Sequence, residues 1–330
     1  MKKILYLGAF LVVGIGMLFL FSPFEKESVI ANQGNEQNHS NDIEQINEAV
    51  AGEEDVKNVI PFEPYTFDYG KQSTNENGQI VREYEIVAED RIMNVAGVEI
   101  PMWTYNGSVP GPTIRATEGD YIKIKFKNNG SMPHTIHLHG IHPSTMDGVL
   151  ETIPPGGSYV YEFTAELPGL YLYHCHQDHV KEHINQGMYG AFIIDPKTPL
   201  EPATEMVMVM NSYDFDFDGE GNEFYTVNGQ PFEYKNNPIE FKVGEKIRIY
   251  LVNMTEIDPI NSFHIHGNMF TYYENGMMNE PARTTDNVIQ GQGQRGIIEM
   301  TYKYPGKYMF HAHQSEFSDL GWMGFFNVTE

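Results

Sequence analysis

Cysteine is almost absent from this sequence, which has one, Cys175, in 330 residues. No intrachain disulfide can form, so the fold depends on its buried core. Basic residues are also few, 21 against 45 acidic ones, and the formal net charge is −24. Because this charge repels nucleic-acid phosphates, we expect no nucleic-acid partner. It is compatible with cationic partners such as metal ions, although an acidic surface also simply keeps a protein soluble.

The N-terminus combines positive charge with a long apolar run. Lys2 and Lys3 precede 18 uninterrupted apolar or glycine residues, positions 4–21. This pattern is typical of an export signal, and the run is also just long enough to span a bilayer. We expect residues 1–24 to be a cleaved signal peptide or a retained membrane anchor, and residues 25–61 to be an acidic disordered tether. The remainder would be extracytoplasmic, either secreted or tethered to the outer face of the cell membrane.

The rest of the chain repeats itself. Residues 162–177 align without a gap with residues 299–314, and the Asn106-Gly107 pair aligns with Asn228-Gly229. Corresponding landmarks lie 122 to 137 positions apart, which is too long for a solenoid repeat. The sequence therefore predicts two copies of one domain, residues 62–198 and residues 199–330.

Both copies have the patterns of β-strands. Residues 121–126 and 246–251 alternate polar and apolar side chains, and no long stretch has helical periodicity. The 31 glycines and 19 prolines suit many short strands joined by tight turns. We predict an all-β fold of two tandem Greek-key β-sandwich or barrel domains.

Eight of the thirteen histidines belong to one repeated pattern, His-X-His. Alternate residues of a strand face the same side, so both imidazoles of a pair can enter one site. Neutral imidazole suits copper, and zinc, the weaker alternative, rarely needs so many histidines. Two pairs lie in each copy at matched positions: His137/His139, His174/His176, His264/His266 and His311/His313.

A second set of metal-ligand residues occurs in the first copy only. Its members are His134, Cys175, His183 and Met188. When the last glycines of the two copies are aligned, the second copy has Asn261, Ala312, Phe317 and Trp322 at the same positions. Two nitrogens, a thiolate and a weak thioether are the ligands of a blue-copper electron-transfer site. Four unrelated structural residues would not be lost together, so we predict one site. His179 is an alternative to His183, which the spacing to Met188 favours.

These motifs resemble those of the multicopper oxidases. The resemblance rests on residues 105–115, YNGSVPGPTIR, on residues 134–140, HTIHLHG, and on the His-Cys-His at 174–176. It covers the chain from about residue 62 to its end. The two-domain length is similar to that of the small two-domain laccases, in the class whose second domain has lost the blue-copper ligands. The fold that this implies is a pair of cupredoxin-like domains.

The resemblance also implies cofactors and roles, with about four copper ions per chain. Type 1 copper would lie at His134, Cys175, His183 and Met188. It would take single electrons from a small reducing substrate: a phenol, an aromatic amine, Cu(I), Fe(II) or Mn(II). Type 2 copper would lie at His137 and His264, and the type 3 pair at His139, His174, His176, His266, His311 and His313. Electrons would pass from the thiolate through His174 and His176 to this trinuclear cluster, where O2 is reduced to water. In such proteins neighbouring subunits share the cluster, which implies a homotrimer.

Two carboxylates are candidates for proton delivery. Asp147 occupies a place where family members carry an acidic residue near the cluster, and Glu316 follows His313 closely. Each could instead be a solvated or capping carboxylate. His142 could lie near the substrate mouth and stays unassigned. Methionines 206, 208 and 210 are expected in the core, and methionines 269, 277 and 278 either pack or bind Cu(I).

Two other functions compete with an oxidase. Copper nitrite reductases share the two-domain plan, but they carry an aspartate where this chain has His137 and lack the histidine found here at 176. A non-catalytic copper electron carrier would need only the type 1 ligands. The additional imidazoles favour the oxidase.

Overall fold

The computed structural model describes residues 57–215 and 218–330. The expected signal or anchor, residues 1–24, and most of the expected tether lie outside the described residues. In the described part, no helix is long and apolar enough to cross a membrane. The last residues of the expected tether already pair with the first domain, because Asn58 and Ile60 form bridges to Ile92 and Ser108. The folded part therefore begins before the expected Phe62.

The first half of the described chain forms two facing β-sheets. One has the order β1-β2-β5-β7, with β3 also paired to β2, and the other has the order β4-β9-β8-β6. The strands are β1 (Lys71–Thr74), β2 (Ile80–Val95), β3 (Val98–Tyr105), β4 (Ile114–Thr117), β5 (Tyr121–Asn128), β6 (His137–Leu138), β7 (Ser158–Thr164), β8 (Gly169–His174) and β9 (Tyr189–Asp195). In β5 every second side chain is buried, as the alternating pattern predicts. A short helix, Val180–Asn185, and a 3-10 turn, Ser144–Met146, lie in the loops.

The second half repeats this plan. Its sheets have the orders β11-β10-β13-β18-β15-β16 and β12-β20-β19-β14-β17. The strands are β10 (Thr204–Tyr213), β11 (Phe224–Val227), β12 (Ile239–Lys242), β13 (Ile247–Asn253), β14 (Ile260–Ile265), β15 (Phe270–Glu274), β16 (Arg283–Thr285), β17 (Asn287–Gly291), β18 (Arg295–Met300), β19 (Gly306–His311) and β20 (Met323–Thr329). Two short helices, Glu233–Asn236 and Ser315–Asp319, lie between strands. The prediction of two tandem β-sandwich domains is confirmed.

The two domains use the same hydrogen bonds at matched turns. Asn106 Oδ1 accepts from the Val87 amide, and Asn228 Oδ1 accepts from the Val209 amide at 2.8 Å. The Asn128 side chain bridges its loop to the Ile153 carbonyl, as that of Asn253 bridges to the Gln290 carbonyl. Buried polar groups need such partners, so the asparagines are retained for loop geometry rather than for chemistry.

Apolar side chains fill each sandwich and also the contact between the domains. One cluster lies inside each domain, and a third joins residues of both, among them Leu172, Val209 and Val252. At the edge of this contact, Arg115 bonds to Asp195 at 2.8 Å and, across the boundary, to Glu205 at 2.7 Å. Because the guanidinium is buried, its two carboxylate partners are needed to offset the cost of removing it from water.

Candidate metal centre

Strand register brings the His-X-His pairs together within each domain. In the first domain His137 of β6 lies opposite His174 of β8, and in the second domain His264 of β14 lies opposite His311 of β19. The remaining histidine of each pair is two residues further on, so it emerges on the same side as its partner. Each domain therefore gathers four imidazoles at the end of one sheet.

The first-domain quartet is closely spaced. The Nε2 atoms of His139 and His174 are 3.3 Å apart, and the His137 ring centroid lies 5.1 Å from that of His174 and 5.3 Å from that of His176. The Nδ1 of His137 donates to the Asp147 carbonyl, and that of His174 to the Cys175 carbonyl, both at 2.8 Å. These bonds fix the tautomer and leave Nε2 free for a metal.

The second-domain quartet has the same geometry but is more exposed. The Nε2 atoms of His266 and His311 are 3.1 Å apart, and the His264 and His313 ring centroids are 5.2 Å apart. His264 Nδ1 donates to the Asp286 carbonyl at 2.8 Å, as His137 does to Asp147. Among the described residues, no metal-ligand cluster combines histidines of both domains. Each quartet is half of the predicted set of eight.

Three of the predicted type 1 residues meet inside the first domain. The Nδ1 atoms of His134 and His183 are 3.2 Å apart, and the Cys175 Sγ lies 3.9 Å from His134 Nδ1. Two nitrogens at about 2.0 Å from one tetrahedral ion would be roughly 3.3 Å apart, so the imidazoles fit a shared metal. All three residues are buried. A thiol and two imidazoles form a donor set that suits copper, and the two imidazole Nδ1 atoms are 3.2 Å apart.

The chain between Cys175 and Met188 shapes this site. The Cys175 amide donates to the Met188 carbonyl, and the Met188 amide donates to the His183 carbonyl, both at 3.0 Å. These bonds hold the backbone of the fully buried Met188 beside those of Cys175 and His183. His179, the alternative ligand, is exposed, has a left-handed φ of 65°, and lies outside the cluster. The geometry therefore favours His183.

The matched position of the second domain contains a filled core instead. The Ala312 amide donates to the Trp322 carbonyl at 3.2 Å and the Trp322 amide to the Phe317 carbonyl at 2.9 Å, which repeats the backbone bonds of the first domain. The Trp322 indole donates to Asn261 Oδ1 at 2.9 Å. The second domain thus has Ala312, Phe317 and Trp322 where the first has the candidate ligands Cys175, His183 and Met188.

Burial keeps the first-domain imidazoles neutral. Desolvation, aided by repulsion from neighbouring imidazoles, lowers the pKa of His134 to about 3 and that of His139 to about 3. Desolvation likewise lowers the pKa of His174 to about 4 and that of His183 to about 4. Burial raises the pKa of the Cys175 thiol, so its deprotonation requires a metal or another cation. At neutral pH the four histidines are unprotonated and able to ligate.

The two candidate proton-delivery carboxylates have different surroundings. Asp147 Oδ1 lies 3.2 Å from His137 Nδ1 and 3.8 Å from His142 Nε2. These residues, with Arg295 of the second domain, line one cavity of about 420 Å³ beside the first quartet. Glu316 is exposed on the helix Ser315–Asp319 and is not part of the second-domain cluster.

Sequence reasoning missed two residues at the metal centre. Asp286 is the second-domain counterpart of Asp147, but it lies 22 residues after His264 whereas Asp147 lies 10 after His137, so linear spacing hid the match. Trp103 packs against the two type 1 imidazoles, with ring centroids 5.3 Å from His134 and 4.6 Å from His183. Of the methionines, 206, 208 and 210 are in the core as expected, 277 is buried, and 269 is exposed.

Comparison with known proteins identifies the family. Two multicopper oxidase family models match residues 87–199 and 197–330. A solved multicopper oxidase is 52% identical, with a TM-score of 0.79, over 81% of this chain and 95% of that one. The blue copper oxidase of Nitrosomonas europaea is 28% identical, with a TM-score of 0.69, over 75% of this chain and 86% of that one.

A curated relative has another activity in its name. The copper-containing nitrite reductase of Neisseria gonorrhoeae is 32% identical over 239 residues, which are 66% of this chain and 60% of that protein. The chain thus spans about three fifths of the length of this relative. The family models cover both domains, and the histidine and cysteine residues on which the resemblance rests gather into clusters with metal-ligand spacing. The chain belongs to the multicopper oxidase family.

Proposed function

We propose that this protein couples the one-electron oxidation of a small reducing substrate to the four-electron reduction of O2 to water. The observation that carries the proposal is the pair of imidazole quartets, because a nitrite reductase of the same plan needs fewer histidines. When bound, copper would supply one-electron transfer at a type 1 site and O2 reduction at a trinuclear site. The chain would hold about four copper ions: one type 1, one type 2 and two type 3.

Cys175 connects the two proposed sites. Its thiol lies in the cluster with His134 and His183, and its backbone continues directly into His174 and His176 of the first quartet. The hydrogen bond from His174 Nδ1 to the Cys175 carbonyl, at 2.8 Å, adds a second short connection. This arrangement supports electron transfer from the type 1 site to the histidines of the oxygen-reducing site.

The separation of the quartets supports an assembly of several chains. In the described part of one chain no metal-ligand cluster combines histidines of both quartets, which supports contact between chains as the way to complete a set of eight. Large apolar side chains are exposed close to both: Ile141 at 51% and Leu150 at 79% in the first domain, and Ile289 at 64% in the second. A contact between chains at these positions would remove such apolar side chains from water. We propose a homotrimer in which the first domain of one chain faces the second domain of the next.

Asp147 is the proposed proton-delivery residue. Its carboxylate lies against His137 and His142 in the cavity beside the first quartet, where it can hold a proton near the reaction site. Glu316 has no comparable contact with a histidine cluster in the described part, so the geometry supports only Asp147.

The reducing substrate is proposed to be a phenol or aromatic amine, or a metal ion: Cu(I), Fe(II) or Mn(II). The helix Val180–Asn185, which carries His183, bears Glu182 in its first turn and follows the exposed Asp178. Acidic side chains at this position support the attraction of metal cations. Oxygen uptake should be compared with a phenol and with Fe(II) or Cu(I), because turnover with metal ions alone would exclude a laccase.

Copper content and electron acceptor test the proposal against nitrite reduction, which the Neisseria relative favours. We expect about four copper ions per chain and O2 consumption with a reducing substrate. About two copper ions per chain, with nitrite reduction in place of O2 uptake, would establish the reductase. A blue-copper spectrum without consumption of either acceptor would indicate an electron carrier.

Subunit mixing tests the shared cluster. One preparation carries His137→Ala and the other His264→Ala, and each should be inactive in O2 reduction because every cluster lacks one ligand. In mixed trimers some junctions combine an intact first domain with an intact second domain. Activity should therefore return after the two preparations are dissociated, mixed and reassociated. If mixing restores nothing while wild-type chains recover from the same treatment, each cluster is built within one chain.

An extracytoplasmic location is proposed from Lys2, Lys3 and the apolar run at 4–21. Protease added to intact cells or spheroplasts should degrade the protein if it is tethered outside the membrane, and the culture medium should contain it if it is secreted. Protein that resists protease in cells and spheroplasts and is absent from the medium would contradict this location.

A further inference from the structure

A buried carboxylate oxygen lies near His134 on the side away from the other residues of the proposed type 1 site. A Cβ atom added to Gly130 would lie 3.2 Å from Asp90 Oδ1, 3.2 Å from His134 Nε2 and 3.3 Å from Asn128 Oδ1. Asp90 Oδ1 and His134 Nε2 are both buried and have no hydrogen-bond partner in the described part of the protein. A histidine nitrogen and a carboxylate oxygen thus lie 3.2 Å from the same point, the Cβ position that Gly130 leaves without an atom.

Asp90 is held in this position by the adjoining loop. Its Oδ2 accepts a hydrogen bond from the Ser131 amide at 2.9 Å, and Asn128 Oδ1 accepts from the Gly130 amide at 2.9 Å. The loop between β5 and His134 therefore directs the second oxygen of Asp90 toward the side of His134 that carries Nε2. Two buried polar atoms that lack a partner and lie near each other are groups that an ordered water can bridge.

The second domain provides an internal comparison. The amides of Asn129 and Met254 donate to the carbonyls of Ala88 and Met210, both at 2.8 Å, which fixes the register of the two domains. By this register Ser212 replaces Asp90. Thr255 replaces Gly130, because the Thr255 amide bonds to Asn253 Oδ1 as the Gly130 amide bonds to Asn128.

The second domain has a hydroxyl group at the equivalent position. Thr255 Oγ1 accepts a hydrogen bond at 2.9 Å from Asn261 Nδ2, and Asn261 is the residue in place of His134. Asn261, which replaces His134, therefore has a polar partner from the protein itself, Thr255. The aspartate and the glycine occur only in the domain that has the type 1 residues.

We propose that Asp90 is a positioning residue for His134, acting through one ordered water that bridges Asp90 Oδ1 and His134 Nε2. The water accepts from His134 Nε2–H and donates to Asp90 Oδ1, which fixes the tautomer that presents Nδ1 to the metal. A carboxylate behind a ligating histidine also makes the imidazole a stronger donor. Stronger donation and a nearby negative charge stabilise Cu(II) over Cu(I), so Asp90 lowers the type 1 reduction potential. This inference rests on the type 1 copper of the proposed function.

Two substitutions separate the charge from the water. Asp90→Asn keeps the shape and an acceptor for Ser131 but removes the negative charge. Gly130→Ala keeps the charge but places a methyl carbon 3.2 Å from both Asp90 Oδ1 and His134 Nε2, where it takes the place of a bridging water; the Gly130 backbone itself is outside the left-handed region. The matched control is Glu89→Gln, one residue earlier on β2, whose carboxylate pairs with Arg91 at 2.8 Å.

The measurement is a redox titration of the copper-loaded protein, followed by the thiolate-to-copper absorption band and by EPR. Both Asp90→Asn and Gly130→Ala should retain the band and raise the type 1 potential, whereas Glu89→Gln should shift it much less. A crystal structure of the copper-loaded parent should contain a water within hydrogen-bond distance of His134 Nε2 and Asp90 Oδ1.

Contrary outcomes are distinct. If the parent has a type 1 band and both variants keep the parent's potential, Asp90 does not position His134 and only this inference fails. Parent crystals with no water bridging the two atoms would also exclude it. If the parent binds copper without any type 1 band, the proposed function itself fails. Should Asp90→Asn not fold, Gly130→Ala and the crystal structure still decide the question.

Discussion

Acid should destabilise the copper-free protein steeply, because three buried histidines must remain neutral for it to stay folded. The folded-state pKa values of His134, His174 and His183 are about 3, 4 and 4, against 6.5 in the unfolded chain. Between these values the unfolded chain binds more protons, so stability is complete above about pH 6.5 and is lost as the pH falls. At pH 5 each histidine should cost about 2 kcal/mol, or about 6 kcal/mol together. Total stabilities are about 5–15 kcal/mol, so the effect is large.

Urea unfolding of the copper-free protein between pH 7.5 and pH 5, followed by circular dichroism, measures this loss. His183→Phe, which introduces the residue found at the matched position 317, should reduce the loss by about 2 kcal/mol. The control His179→Gln removes an exposed imidazole and should leave the loss unchanged. Copper should protect the parent to lower pH, because bound metal keeps its ligands unprotonated.

One result would contradict this role of buried histidines in acid sensitivity. If His183→Phe and the parent lose the same free energy between pH 7.5 and pH 5, burial of that imidazole is not what makes the protein acid-sensitive. An equal loss in the copper-loaded parent would lead to the same conclusion.

Three further predictions concern single residues. Trp322→Ala should cost about 3–5 kcal/mol in urea unfolding, because it empties the filled core of the second domain, and a smaller loss would mean that this core collapses around the gap. Gly148→Ala should reduce copper bound at the first quartet, because Gly148 has a φ of +72° and an added Cβ would lie 1.9 Å from the Ile136 carbonyl oxygen. Unchanged copper content by metal analysis would contradict this. Asp147→Asn should keep the copper of the parent and lower kcat for O2 reduction by roughly 10²-fold, and normal turnover would remove Asp147 from proton delivery.

The fold and the separation of the two kinds of site were predictable because the chain contains its own comparison. A histidine pair retained in both copies and a ligand set present in one copy can be distinguished without any structure. The register between β6 and β8, which places His137 opposite His174, then follows from ordinary strand pairing.

Other features depend on loops, whose length and shape linear spacing does not reveal. Asp286 reaches His264 through a much longer connection than the one that brings Asp147 to His137, so the two aspartates did not align. Glu316 is near His313 in sequence, but the helix Ser315–Asp319 leaves it exposed. The proposed role of Asp90 depends on the Cβ position that Gly130 leaves without an atom, and an absent side chain leaves no pattern in a sequence.

The burial of the residues of the proposed type 1 site determines how a metal can reach them. His134, Cys175 and Met188 have no solvent exposure, so an ion cannot touch the thiol while the loop between Cys175 and Met188 stays closed. Metal uptake must then wait for that loop to open, an event of local unfolding. At high copper concentration the loading rate should become independent of concentration and equal to the rate of opening. The time needed to load copper into one molecule is therefore set by the rate at which the loop opens and not by the supply of metal.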